Sequence, residues 1–128
     1  MSRRHLRPVP AAIQEEIDKL VGPAPRRDLL VEYLHRIQDA HGHIDTPRLA
    51  ALAKTLKLSR AEVYEVATFY HHFDVVREGE APPPALTVRV CDSLACALAG
   101  AEELLAEISQ SLGDGVRVQR VPCVGRCE

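Results

Sequence analysis

The sequence predicts an α+β chain in which a small N-terminal helical bundle precedes an α/β domain, and three observations predict it. Apolar residues recur with a helical period up to about residue 75. Three consecutive prolines, Pro82, Pro83 and Pro84, then interrupt the pattern. Beyond them the period falls to that of a half-buried strand. The implied boundaries are a bundle over residues 1–76, an extended Pro-rich linker over 77–85 and the α/β domain over 86–128.

The bundle divides into four helices. Ile13, Ile17, Leu20 and Val21 form one apolar stripe, closed by Gly22 and Pro23. A second helix runs from about Arg27 to Ala40 with Leu30, Tyr33, Leu34 and Ile37 on one face and Gly42 as its stop. Asp45 or Thr46 caps a short third helix whose first turn takes Pro47 and whose stripe is Leu49, Leu52, Ala53 and Leu56. The fourth opens on Ser59-Arg60-Ala61-Glu62, a capping-box pattern, and buries Val63, Val66, Ala67 and Tyr70. Helices this short are marginal alone in water, so they are expected to pack together.

In the α/β domain Leu86, Val88 and Val90 alternate with Thr87 and Arg89 in a strand that ends at Cys91. A helix from about Ala97 to Leu112 follows, with Ala101, Leu104, Leu105, Ile108 and Leu112 facing inward. Val116 and Val118 then alternate with Arg117 and Gln119 in a second strand, ending at Pro122-Cys123. Strand, helix, strand implies parallel neighbours by the right-handed crossover rule.

Bulk composition excludes several classes. With 46% hydrophobic and 27% charged residues the chain is an ordinary globular sequence, and a net charge of -2 gives no global attraction to nucleic acid or an anionic membrane. The basic opening at Arg3, Arg4 and Arg7 is followed by no apolar h-region, and no run approaches the roughly 18 apolar residues of a membrane span. A cytoplasmic protein without direct membrane insertion is expected, with a basic transit segment at residues 1–8 as the alternative.

In a reducing compartment four cysteines point to metal or redox chemistry before disulfides. Cys91 and Cys96 form C-x4-C, and after 26 residues Cys123 and Cys127 form C-x3-C. Each pair begins where a strand ends, so parallel strands would bring both loops to one edge of the sheet. Two close thiolate pairs suit a 2Fe-2S cluster, with Cys91 and Cys96 on one iron and Cys123 and Cys127 on the other. Ser93, Ala95, Ala97 and Gly125 are small enough for backbone donors to approach the sulfurs. Cys96 would stand just before a helix N-terminus, whose partial positive charge favours thiolate. Spacing alone leaves structural zinc as a serious competitor: a zinc-stabilised interaction module with a four-cysteine site is the alternative. A dithiol site lacks C-x-x-C, and a Rieske site lacks histidine, since residues 86–128 contain none.

Several further stretches complete a resemblance: Gln38-Asp39-Ala40-His41-Gly42, Val63-Tyr64-Glu65-Val66-Ala67-Thr68-Phe69-Tyr70, Val90-Cys91 with Cys96, Gly100-Ala101, and Cys123-Val124-Gly125-Arg126-Cys127. Together, from about residue 11 to 128, they resemble the small thioredoxin-like 2Fe-2S subunit of the NADH dehydrogenase module of respiratory complex I. Relatives of that subunit serve as the gamma subunit of NAD-dependent formate dehydrogenases and as a diaphorase subunit of NAD-reducing hydrogenases. The resemblance implies a thioredoxin-like 2Fe-2S ferredoxin domain whose cluster ligands are Cys91, Cys96, Cys123 and Cys127. It also implies one-electron transfer inside a larger NAD(H)-linked oxidoreductase, beside a flavoprotein subunit or fused domain that carries FMN and NAD. No Gly-rich phosphate loop follows a strand here, so nicotinamide chemistry is expected on that partner and no catalytic residue in this chain. The family's fold continues past its fourth cysteine, whereas this sequence stops at Glu128, so a cluster domain that is truncated, or is completed by contact with another chain, is expected.

The remaining candidates have plain readings. Tyr64, Phe69, Tyr70 and Phe73 read as core aromatics of the fourth helix, with docking of the flavin subunit as the sharper option. His71 and His72 are adjacent and therefore poor joint ligands on a helix, and His41 and His43 read as imidazoles at a helix end. Arg89, Arg117 and Arg120 read mostly as solvated, while Arg126, between two expected ligands, would offset the charge of a reduced cluster.

Overall fold

Residues 8–123, 125 and 126 are described by the structure, a computed structural model, and the chain divides into two compact units between Pro82 and Pro83. Among the described residues the first unit contains four α-helices: α1 (Ala11–Val21), α2 (Leu30–His41), α3 (Thr46–Leu56) and α4 (Arg60–Phe69). A single 3-10 turn, Arg27–Leu29, leads into α2, which therefore begins later than its apolar period suggests.

Local chemistry sets most of these boundaries. Gly42 closes α2 at φ 74°, a left-handed conformation cheap only for glycine, with its N–H donating to the Gln38 carbonyl at 2.7 Å. The Asp45 carboxylate accepts the Arg48 N–H at 2.9 Å and caps α3, with Pro47 in the first turn. At α4 the capping box is complete: the Ser59 hydroxyl accepts from the Glu62 N–H at 3.2 Å, and the Glu62 carboxylate accepts from the Ser59 N–H at 2.7 Å.

The stripes converge on one core, in which Ile17, Leu34, Ile37, Leu52 and Val63 are fully buried. Each such aliphatic side chain contributes about 1.5–3 kcal/mol by leaving water. The sequence period does not reveal a two-residue parallel ladder, β1 (Ile44–Asp45) with β2 (Val75–Val76), because two residues carry no alternation. Gln38 anchors the chain leading into β2. Its buried amide donates to the His72 carbonyl at 2.5 Å and accepts the Asp74 N–H at 2.6 Å, so neither polar end is left unpaired. That turn corrects the aromatic reading: α4 stops at Phe69, Tyr70 is extended, and Phe73 reaches the core from outside the helix.

In the second unit β3 (Leu86–Cys91) pairs in parallel with β4 (Val116–Val121), from Leu86 opposite Val116 to Cys91 opposite Val121. The connection differs from the single helix expected. Gly100 at φ 99° breaks it into α5 (Leu94–Leu98) and α6 (Ala101–Ser111). Among the described residues Leu105 and Ala101 of α6 and Val121 of β4 are the buried apolar residues here, whereas Leu86, Leu104 and Leu112, expected to face inward, are exposed. Two strands and one long helix offer too little surface to cover every apolar position. Among the described residues no helix is long and apolar enough to cross a membrane.

Candidate metal centre

The parallel register decides which ends meet. Cys91 is the last residue of β3 and faces Val121, and the ladder runs one step further as the Asp92 N–H donates to the Val121 carbonyl at 3.3 Å. Cys123 follows two residues later, so Cys91 and Cys123 leave the same carboxyl edge of the two-stranded sheet. Cys96 is the third residue of α5, inside the short helix and not ahead of one as the unbroken period implies. Cys91 and Cys96 are half-buried and Cys123 is exposed. The fourth expected ligand, Cys127, lies outside the described residues.

Among the described residues no three His, Cys, Asp or Glu side chains stand close enough to hold an ion. Closing a set of cysteine ligands is coupled to metal binding, which releases the thiol protons. The donor chemistry nevertheless fits an iron–sulfur group. The strand ends supply sulfur, no histidine lies in residues 86–128, and a backbone donor already addresses a sulfur: the Gly125 N–H reaches Cys123 Sγ at 3.4 Å. Gly125 stands at φ 71°, and a Cβ there would meet nothing within 4 Å. Glycine is therefore required by the backbone angle and not by crowding, which revises the small-residue argument at this position.

The nearby carboxylates are engaged by arginine. Arg120 of β4 holds Glu102 of α6 through two bonds, 2.5 Å from Nη1 to Oε1 and 2.7 Å from Nη2 to Oε2, and its Nη1 lies 3.6 Å from Asp92 Oδ2. This pairing pulls the Glu102 carboxyl below its ordinary range and raises Arg120 further above its own. Arg117 donates to the Thr87 hydroxyl at 3.1 Å, and Arg126 is exposed. The reading of Arg120 as solvated missed this triad, because no period links positions 92, 102 and 120. The only available signal was opposite charge beside each strand end.

The chain has relatives among oxidoreductase subunits. An NADH-quinone oxidoreductase subunit of Rhizobium meliloti is 33% identical over 126 residues, covering 91% of this chain and 72% of that protein. NADH-quinone oxidoreductase subunit 2 of Thermus thermophilus is 34% identical over 114 residues, 82% of this chain and 60% of that protein. NADP-reducing hydrogenase subunit HndA of Solidesulfovibrio fructosivorans is 27% identical over 129 residues, 92% of this chain and 72% of that protein. The chain thus spans about three fifths to three quarters of these relatives' length. With residues 13–128 matching the family's sequence profile, the chain belongs to the thioredoxin-like 2Fe-2S ferredoxins, and its cofactor is a 2Fe-2S cluster.

Proposed function

We propose that the chain relays single electrons through a 2Fe-2S cluster ligated by Cys91, Cys96, Cys123 and Cys127, as one component of an NAD(H)-linked oxidoreductase. The observation that carries this reading is the parallel register of β3 and β4, which sets Cys91 and Cys123 at one edge, with Cys96 in the short helix that follows β3. When bound, the cluster would supply one-electron redox chemistry. The chain's own residues hold and tune it. Strand pairing fixes the Cys91 backbone, and the Gly125 N–H donates to Cys123 Sγ, which favours charge on that sulfur.

The partner in this reading is a flavoprotein subunit or fused domain carrying FMN and handling NAD(H). The reading is supported by the names of the relatives, which are subunits of NADH-quinone oxidoreductases and of an NADP-reducing hydrogenase. Residues 1–76 form the helical domain and 86–128 the cluster domain in this proposal, with 77–85 as linker. The chain is purified from its own host with its associated proteins and mixed anaerobically with NADH. Bleaching of the cluster's visible absorption is expected only when a flavin-containing protein co-purifies. Full bleaching of the isolated chain by NADH would refute the assignment of nicotinamide chemistry to a partner.

A further inference from the structure

We propose that Arg120 is a positioning residue for the metal centre: one guanidinium on β4 staples both ends of the segment that carries Cys96. The inference rests on reading Cys91, Cys96 and Cys123 as ligands. The segment runs from Asp92, next to Cys91, to Glu102 in the first turn of α6. Arg120 meets both ends, with Nη1 at 3.6 Å from Asp92 Oδ2 and the bidentate pair to Glu102 at 2.5 and 2.7 Å. Asp92 is also held through its backbone, whose N–H donates to the Val121 carbonyl at 3.3 Å. β4 therefore grips Asp92 twice, and the chain leaving that strand reaches Cys123 two residues beyond its end.

Apolar packing does not hold residues 92–100 in place, and burial begins only at Ala101. No residue from Asp92 to Gly100 is buried, and Leu94 and Leu98, on either side of Cys96, are 77% and 81% exposed. Gly100 at φ 99° separates α5 from α6, so the rigidity of α6 does not extend back to Cys96. The tie that joins the two ends to each other is ionic. An isolated exposed ion pair contributes little, but a bidentate guanidinium shared by two carboxylates fixes geometry as well as charge. Arg120 thereby limits where Cys96 can travel relative to Cys91 and Cys123.

Two measurements on the full chain test this. Hydrogen exchange across residues 92–100 is compared in the metal-free wild type, Arg120→Gln, Arg120→Lys and Glu102→Gln. Loss of cluster iron to an external chelator is then followed in the loaded forms. Arg120→Gln is expected to speed exchange across the segment and to accelerate iron loss roughly 10-fold, the scale seen when a residue supporting a metal ligand is removed. Arg120→Lys, which keeps the charge without the fork, falls between. Glu102→Gln is the discriminating variant: a staple predicts faster exchange and faster iron loss, as in Arg120→Gln. If Arg120 acted only through its charge, removing the Glu102 charge would have the opposite effect on iron loss. Unchanged exchange in both variants, or opposite signs between them, overturns the proposal. Should Arg120→Gln fail to fold, Glu102→Gln still decides by the same criteria. Should the wild type hold no iron, the ligand reading fails, while the exchange comparison still judges the staple.

Discussion

Glu16 illustrates how much single side chains add beyond the apolar stripes. Its Oε1 accepts from His41 Nε2 at 2.6 Å and from Arg48 Nε at 3.0 Å, while Oε2 accepts from Arg48 Nη2 at 3.1 Å. Arg48 also pairs with Asp45, the residue that caps α3. The Arg48 hydrogen bonds hold the Glu16 carboxyl below its ordinary range; burial opposes them and His41 assists. A carboxyl depressed in the folded state stabilises the fold fully above its unfolded pKa, about 4.3, and loses that effect as pH falls through the folded value. Wild type is therefore expected to melt about 2–4 °C above Glu16→Gln at pH 7, with the two curves converging below about pH 4. A constant gap from pH 7 to 3 in thermal melts would contradict this. His41 was legible only as a helix-end imidazole, because its partner lies 25 positions away on α1.

Among the elements, local signals were the most readable. The capping box at Ser59 and the glycine stop at Gly42 depend on residues three or four apart, and both form as the sequence predicts. Ser59→Ala is expected to cost about 1 kcal/mol, measured by urea unfolding of the full chain. The aromatic run was less legible, since a helical period carried past Phe69 puts Phe69 and Phe73 on the same face. The structure separates them: Phe73 is 7% exposed and Phe69 76%. Phe73→Ala is expected to cost about 3–5 kcal/mol and Phe69→Ala less than about 1 kcal/mol. Equal costs in the same unfolding assay would restore the single-helix reading. The break at Gly100 escaped for a related reason: a lone glycine inside an apolar period reads as a tolerated residue, and only its positive φ reveals the interruption.

Across the molecule as a whole, the legible part was topological. Strand, helix, strand with a cysteine at each strand end implied parallel neighbours, and β3 and β4 are paired in that way. The ionic staple was not legible, because it joins positions 92, 102 and 120 through side chains whose charges imply no pairing by themselves. Nor did apolar period foresee the exposure of Leu86, Leu104 and Leu112, since burial also depends on what a face has to pack against. Whether the four cysteines hold two irons is open to direct assay. The full chain, purified anaerobically, is analysed for iron, sulfide and zinc and titrated with a one-electron reductant under electron paramagnetic resonance. Two irons and two sulfides per chain are expected, with a paramagnetic signal that appears on addition of a single electron. Both are expected to be lost or altered on changing Cys91, Cys96, Cys123 or Cys127 to Ser. A colourless protein with one zinc per chain and no signal on reduction would contradict the cluster assignment.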